Sequence, residues 1–185
     1  MDEIDAIRRV KQKDTTGLHW LINRYYAKAL QVAFLITGDL GTAEDVVQDK
    51  FLDLYSTIST FDGERPFSPW FMRGVMHHAV HIAERETRFV SLEVNEEEDS
   101  FDFIAVDETT PEESVISNET RQKVWDALMR LSPRQRAVVI ERYFLEMTER
   151  EMVNEMSIAP GTVKWLLNAA KKNLRILLAH ERSNP

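Results

Sequence analysis

Cysteine is absent from the 185 residues of the sequence, which excludes disulfides and metal sites built on thiolates. No stretch approaches the roughly 18 uninterrupted apolar residues that a membrane span needs, so we expect no membrane insertion. The first residues, MDEIDAIRRVKQKD, are charged throughout and are not typical of a secretory signal. We therefore expect a cytoplasmic protein. No nucleophile–base pattern or phosphate-binding loop is found, which predicts neither catalysis nor a cofactor.

Lysine and arginine are missing from residues 90–120, a segment that carries 11 acidic residues. The net charge is −2 for residues 1–89 and +5 for residues 121–185, so the overall −8 comes from this one segment. Like charges at such density favour an extended, solvated chain. The pattern predicts two domains, 1–89 and 121–185, joined by an acidic linker. The linker is interpreted either as a solvated chain whose apolar residues near Phe101 form a weak docking patch, or as a functional tether that occupies a basic channel.

Apolar residues recur at spacings of three and four along both domains, and no β-pattern of useful length is found. The predicted class is therefore all-α. In the first domain, one helix includes residues 18–34, Thr42 is the expected amino cap of a second, and a third starts near Trp70 after the loop 61–69. The second helix should place four apolar side chains on one stripe: Val47, Phe51, Leu54 and Ile58.

In the second domain, helices are predicted near 114–131 and 134–146, with a Ser-Pro break between them. Thr148 should open a short helix with a capping box, and Pro160 should start a long helix that ends near His180. Two helices separated by a tight turn, the second of them basic, suggest a DNA-reading helix-turn-helix. The long helix should bury the side chains of Val163, Leu167, Ala170 and Leu174.

Two sets of motifs resemble the extracytoplasmic-function (ECF) sigma factors of bacterial RNA polymerase. The run AEDVVQDKFL at residues 43–52, followed by Trp70 after a Phe-Asp-Gly loop, resembles the amino-terminal domain of that family. The runs LSPRQR, ERYF, TERE and GTVK, between residues 131 and 164, resemble its carboxy-terminal domain. Both sets occur in the family's order, so the resemblance extends over nearly the whole chain. It implies a protein that directs core RNA polymerase to promoters and that also binds an anti-sigma factor.

The resemblance assigns the outer face of the second helix to the polymerase. In the family this helix docks on the clamp helices of the largest polymerase subunit. Gln48 and Asp49 match the polar pair at that contact, and Asp45 matches the acidic position before it. With the apolar stripe turned to the core, these polar groups would meet a basic partner surface.

The loop and helix around Trp70 match the segment that reads and melts the −10 element. Aromatic side chains there would hold unstacked bases, and arginines would contact phosphates. The chain departs from the family at Met76-His77, where Arg-Asn is usual, and at His81, where Asp is common. The candidate −10 contacts are Phe61, Phe67, Trp70, Arg73, His77, Arg85 and Arg88.

The helix that starts at Pro160 matches the segment that reads the −35 element. Thr162 and Lys164 fit the family pattern, whereas Trp165, Leu166 and Ala169 stand where Ser, Arg and Arg are typical. Without these arginines the chain lacks its best guanine readers, so either the −35 preference is unusual or the surface contacts protein. The candidate −35 contacts are Thr162, Lys164, Trp165, Asn168, Lys171 and Lys172.

Two other functions compete with this one. His77, His78 and His81 contain an i, i+4 pair that suits zinc, but no HExxH motif or nearby carboxylate supports it, so no metal is expected. A stand-alone helix-turn-helix regulator would have a similar second domain without needing the polymerase-binding helix. Trp165 and Leu166 on the reading helix favour that alternative, and co-purification with polymerase would distinguish the two.

Overall fold

The computed structural model describes residues 1–90 and 114–181, and both parts are built from α-helices, which confirms the predicted all-α class. The chain divides into two compact units, Met1–Arg85 and Glu86–Pro185. No helix in the described residues is long and apolar enough to cross a membrane. The helices are α1 (Glu3–Lys11), α2 (Thr15–Thr37), α3 (Leu40–Thr57), α4 (Phe67–Val90), α5 (Ser114–Met129), α6 (Pro133–Tyr143), α7 (Glu149–Met156) and α8 (Pro160–Glu181).

Helix α1 was not predicted from the sequence. The side chain of Asp2 caps its first turn by accepting a hydrogen bond from the backbone N–H of Asp5 at 2.8 Å, and Ala6 and Val10 are fully buried. The helix packs on α2 at Gly17, where an added Cβ would lie 2.3 Å from the carbonyl oxygen of Ala6. Glycine at position 17 therefore allows the two backbones to approach this closely.

Helix α3 begins earlier than expected. Its amino cap is Asp39, not Thr42, because the Asp39 carboxylate accepts a hydrogen bond from the backbone N–H of Thr42 at 2.6 Å. Asp39 and Thr42 are both residues that commonly cap helices, and the sequence pattern predicted Thr42, which is wrong. The predicted apolar stripe is confirmed, since its four side chains are at most 4% exposed: Val47, Phe51, Leu54 and Ile58.

Helix α4 begins at Phe67, three residues before the predicted start at Trp70. Its first turn carries aromatic side chains into the core. The Phe67 ring lies 5.6 Å from Phe61 in edge-to-face contact and 5.4 Å from Tyr25, between centroids. The Phe71 ring lies 4.7 Å from Phe51. This aromatic cluster joins α2, α3 and α4, and explains why the helix starts where these rings become buried.

In the second unit the predicted helix starts are confirmed. Ser132 and Thr148 each form a capping box, with Gln135 and Glu151 respectively, and Pro133 occupies the first position of α6. Helix α7 ends at Met156, and its carboxy cap is Ser157, whose φ of 53° is in the left-handed region that favours glycine. In the turn before α8, a serine therefore adopts a conformation that glycine adopts more easily.

One apolar cluster holds α6, α7 and α8 together. Its fully buried members are Val138, Met152 and Val163, which come from three different helices. Leu166 and Leu167 complete the cluster from α8. The predicted inward face of α8 is confirmed for Val163, Leu167 and Ala170. Because each helix contributes to one core, the outward face of α8 has a fixed orientation within this unit.

The acidic linker lies largely outside the described residues. Its apolar residues near Phe101 fall within residues 91–113, outside the described part of the chain. Helix α5 begins at Ser114, within the segment that the charge pattern assigned to the linker.

Candidate nucleic-acid and partner interfaces

The outer face of α3 presents the three residues that were assigned to polymerase. Asp45, Gln48 and Asp49 are all exposed. Leu52 lies one turn beyond Gln48 on the same face and leaves 72% of its surface exposed. Sequence reasoning missed Leu52, although it interrupts a polar face at the spacing of a helical neighbour. Leu52 therefore adds an exposed apolar group to the polar face of α3.

A histidine of α4 lies beside the Asp49 carboxylate on α3. This residue is His78, whose Nε2 lies 3.9 Å from the Asp49 carboxylate. Burial lowers the pKa of His78, and the positive charge of Lys50 lowers it further, while Asp49 opposes the shift. The imidazole is therefore neutral near pH 7, and it leaves the carboxylate available to a basic partner.

A groove of about 280 Å³ lies between α3 and α4. Three of the predicted −10 residues, Trp70, Arg73 and His77, line it together. Lys50 borders the groove from α3, where its ammonium group donates to Asp53 at 2.7 Å. An indole, a guanidinium and an imidazole at one groove can stack on an unpaired base and contact its phosphate.

The structure revises the roles of the other two aromatic candidates. Phe61 and Phe67 are only 4% and 1% exposed, so they are core residues in this structure and do not offer a face to a base. Both rings contact Trp70, at centroid distances of 5.2 and 5.7 Å. Both phenylalanines therefore pack against the indole ring. Of these three aromatic residues, only Trp70 lines the groove.

Further along α4, the Arg85 side chain is exposed. The side chain of Arg88 lies outside the described part of the structure. Met76 is buried, with 3% of its surface exposed, whereas His77 is exposed. At the position where the family has Arg-Asn, only the histidine of this chain therefore reaches the surface. His81 is also exposed. Within the described residues, no three His, Asp or Glu side chains are placed to hold a metal ion.

Helix α8 presents all of its predicted DNA contacts outward. The six side chains are exposed: Thr162, Lys164, Trp165, Asn168, Lys171 and Lys172. The ammonium group of Lys171 lies 5.9 Å from the ring centroid of Tyr143, at the end of α6.

The departures of α8 from the family pattern do not all reach its surface. Leu166 is 7% exposed and belongs to the core, and Ala169 is half-buried. Because the Leu166 side chain is buried, it no longer favours a stand-alone regulator. Trp165, at 66% exposure, is the departure that changes the outward face.

Comparison with known proteins finds a match to a sigma-70 family model in each of the two units. Residues 21–89 match the family model for sigma-70 region 2, and residues 121–174 match the model for sigma-70 region 4. The ECF RNA polymerase sigma factor SigW of Bacillus subtilis is 26% identical over 173 residues, which cover 91% of this chain and 92% of that protein. The ECF sigma factor SigL of Mycobacterium tuberculosis is 29% identical over 159 residues, which cover 85% and 86%.

Two solved structures share the fold at low sequence identity. The sigma factor RpoE from Bartonella quintana, in complex with the anti-sigma factor NepR, has a TM-score of 0.65 and 18% identity and covers 85% of this chain and 94% of that chain. CnrH, in complex with the cytosolic domain of CnrY, has a TM-score of 0.65 and 18% identity and covers 97% of both chains.

Proposed function

Because this chain belongs to the extracytoplasmic-function sigma factors and directs RNA polymerase to promoters, we propose that its two units divide polymerase binding and promoter reading among three surfaces. The first is the outer face of α3, the second is the groove at Trp70, and the third is the outward face of α8. The organisation 1–89, 90–120 and 121–185 belongs to this proposal. Its site of action is then the cytoplasm, and its role is binding without catalysis.

The single observation that carries the polymerase assignment is the division of α3 into two faces. Val47, Phe51 and Leu54 are buried, while Asp45 and Asp49 are exposed. Acidic groups on one side of a helix complement a basic partner surface and speed its association. Leu52 adds exposed apolar area to that face, and its burial against a partner favours association.

A titration of core RNA polymerase with the full chain tests this assignment. The variant Asp49→Arg should weaken binding by at least about 1 kcal/mol, since it puts a positive charge against a basic surface. Asp49→Asn serves as the graded control and should have a smaller effect, because it removes the charge without reversing it. Equal affinity for wild type and Asp49→Arg would remove α3 from the polymerase contact. Far-ultraviolet circular dichroism checks that both variants fold.

The groove at Trp70 is assigned to the upstream edge of the −10 element. Stacking of a base on an aromatic ring contributes about 1–3 kcal/mol, and Trp70 is held for this role by Phe61 and Phe67. Arg73 and His77 line the same groove, and Arg85 and Arg88, further along α4, are assigned to phosphates. The variant Trp70→Ala should slow promoter melting in the holoenzyme, as measured by permanganate reactivity of unpaired thymines.

The outward face of α8 is assigned to the −35 element. Its lysines suit phosphates, and Asn168 suits a base edge.

An anti-sigma factor is proposed as a further partner. The solved relative from Bartonella quintana is bound to one.

A further inference from the structure

Trp165 stands out on the face of α8 that is assigned to DNA. It belongs to the second turn of the helix and exposes 66% of its surface. Its neighbours on that face are polar or cationic, and include Lys164 and Asn168. On a face assigned to DNA, an exposed indole among lysines can make an apolar contact with a base beside the charges that bind phosphates.

The lysines and the indole of α8 lie in two rows along the helix and are suited to different parts of DNA. Lys164 and Lys171 are seven residues apart and form one row along α8, and Trp165 and Lys172 form a second row. Asn168 lies between the rows. In a helix-turn-helix, the amino-terminal residues of the second helix contact base edges. Trp165 therefore belongs with the base-reading residues, while the positive charges of Lys171 and Lys172 suit phosphates.

The chemistry of an indole selects among the four bases. Its flat surface is apolar, and it has one N–H donor and no acceptor. In the major groove, the apolar group that a base presents is the C5 methyl of thymine. Guanine is best read by arginine, and residues 160–172 contain no arginine. The indole that α8 exposes in its second turn therefore suits the methyl group of thymine better than the edge of guanine, whose two acceptors are read by arginine or lysine.

We propose that Trp165 makes α8 read a thymine of the −35 element through contact with its C5 methyl group. This proposal rests on the assignment of α8 to the −35 element. It makes Trp165 a specificity-determining residue, while Lys164, Lys171 and Lys172 supply affinity that does not depend on sequence.

The test uses holoenzyme assembled from the full chain and core polymerase. Run-off transcription on a promoter pool with a randomised −35 region first gives the preferred sequence, which should contain a thymine. Each thymine there is then replaced by deoxyuridine, which removes only the methyl group. At one position this replacement should weaken promoter binding by wild type about three- to five-fold, as expected when one methyl group is no longer buried.

The variants show which side chain is responsible. Trp165→Ala should bind the thymine and deoxyuridine promoters equally well, and Trp165→Arg should shift the preferred base toward guanine. Lys164→Ala is the matched control, which should weaken binding to both promoters and keep their ratio.

The possible results distinguish the role of Trp165 from the assignment of α8 to the −35 element. A pool without a preferred thymine, or a methyl effect that persists in Trp165→Ala, overturns the role of Trp165. If Trp165→Ala leaves the preferred −35 sequence unchanged and Lys164→Ala leaves the affinity for both promoters unchanged, the assignment of α8 to that element fails as well. Because Trp165 is exposed, unchanged unfolding in urea confirms that its variants are folded.

Discussion

Lys13 and Tyr55 each donate a side-chain hydrogen bond to the other's backbone carbonyl oxygen. The ammonium group of Lys13 lies 2.5 Å from the Tyr55 oxygen, and the Tyr55 hydroxyl lies 2.6 Å from the Lys13 oxygen. The same ammonium group is 4.6 Å from the centre of the Tyr55 ring. A third bond, from Lys11 to the carbonyl of Phe61 at 2.6 Å, extends this contact to the loop before α4. The end of α1 is thereby fixed to the end of α3.

Removal of the Tyr55 hydroxyl should weaken this contact without disturbing the ring. We expect Tyr55→Phe to lower the free energy of unfolding by about 0.5–1.5 kcal/mol, the usual contribution of one hydrogen bond. Urea denaturation followed by circular dichroism measures the change. Tyr143→Phe, at an exposed tyrosine of the other unit, is the control and should leave stability unchanged. Identical stability of the two variants would mean that the hydrogen bond from the Tyr55 hydroxyl contributes nothing.

A methyl group at position 17 should force α1 away from α2. The obstacle is the backbone oxygen of Ala6, which cannot move without shifting α1. We expect Gly17→Ala to destabilise the protein by about 1–3 kcal/mol, as overpacking does. Gly161→Ala is the matched control, because an added Cβ there meets nothing within 4 Å. Thermal unfolding of both variants should show a decrease in stability for position 17 alone.

The amino cap of α3 should make stability depend on pH. Hydrogen bonds from the hydroxyl and the backbone N–H of Thr42 hold the pKa of Asp39 below its usual value. The folded state therefore binds this proton more weakly than the unfolded chain. The cap stabilises above the unfolded pKa of about 3.9, and this stability is lost as the pH falls through the folded pKa.

The corresponding experiment compares three proteins across that range. At pH 7, Asp39→Ala should cost about 1 kcal/mol, and its difference from wild type should shrink below pH 4. Asp39→Asn retains a capping oxygen that does not titrate, so its difference from Asp39→Ala should stay constant. A wild-type advantage over Asp39→Ala that is undiminished at pH 3 contradicts the role of the charge.

The lysines of α8 should contribute to promoter affinity through phosphates. We expect Lys164→Ala and Lys171→Ala each to reduce holoenzyme binding across sequences and to lower the salt slope by roughly one for each phosphate that is no longer neutralised. Binding is measured between about 50 and 200 mM salt on two unrelated promoters. If both variants keep the wild-type slope, neither lysine contacts a phosphate.

Arg136 should be replaceable by an apolar residue. It is 6% exposed, burial lowers its pKa to about 10, and its Nη1 donates to the sulfur of Met129 at 2.9 Å. A sulfur is a weak acceptor for a buried cation, so the charge is poorly compensated. Arg136→Met should therefore leave the free energy of unfolding unchanged or raise it, as measured in urea. A decrease of more than about 3 kcal/mol would show that a strong partner compensates the charge.

The second unit could be predicted from the sequence because its signals are local. A capping box lies within four residues, and the positions of Ser132 and Thr148 gave the starts of α6 and α7 directly. The inward face of α8 followed from periodicity in the same way. The exposed state of the proposed contact residues on α3 and α8 could be read from the same pattern.

The first unit was less predictable because its decisive contacts are distant in sequence. Helix α1 is short and highly charged, and its burial depends on Gly17 in the next helix. Phe61 and Phe67 carry the same sequence signal as Trp70, and only the packing of α2 and α3 shows which ring reaches the groove. Leu52 was missed because an exposed leucine cannot be distinguished from a core residue until the buried stripe is known.

The reciprocal contact between Lys13 and Tyr55 also bears on how the chain acquires its structure. It joins residues separated by 42 positions, and the bond from Lys11 to Phe61 spans 50. Such contacts form only after the intervening loop has closed, and that closure is opposed by chain entropy. In the second unit, by contrast, the capping boxes span three positions. Folding rates decrease as the sequence separation of contacting residues increases. We therefore expect α6, α7 and α8 to pack together before α1 packs against α3.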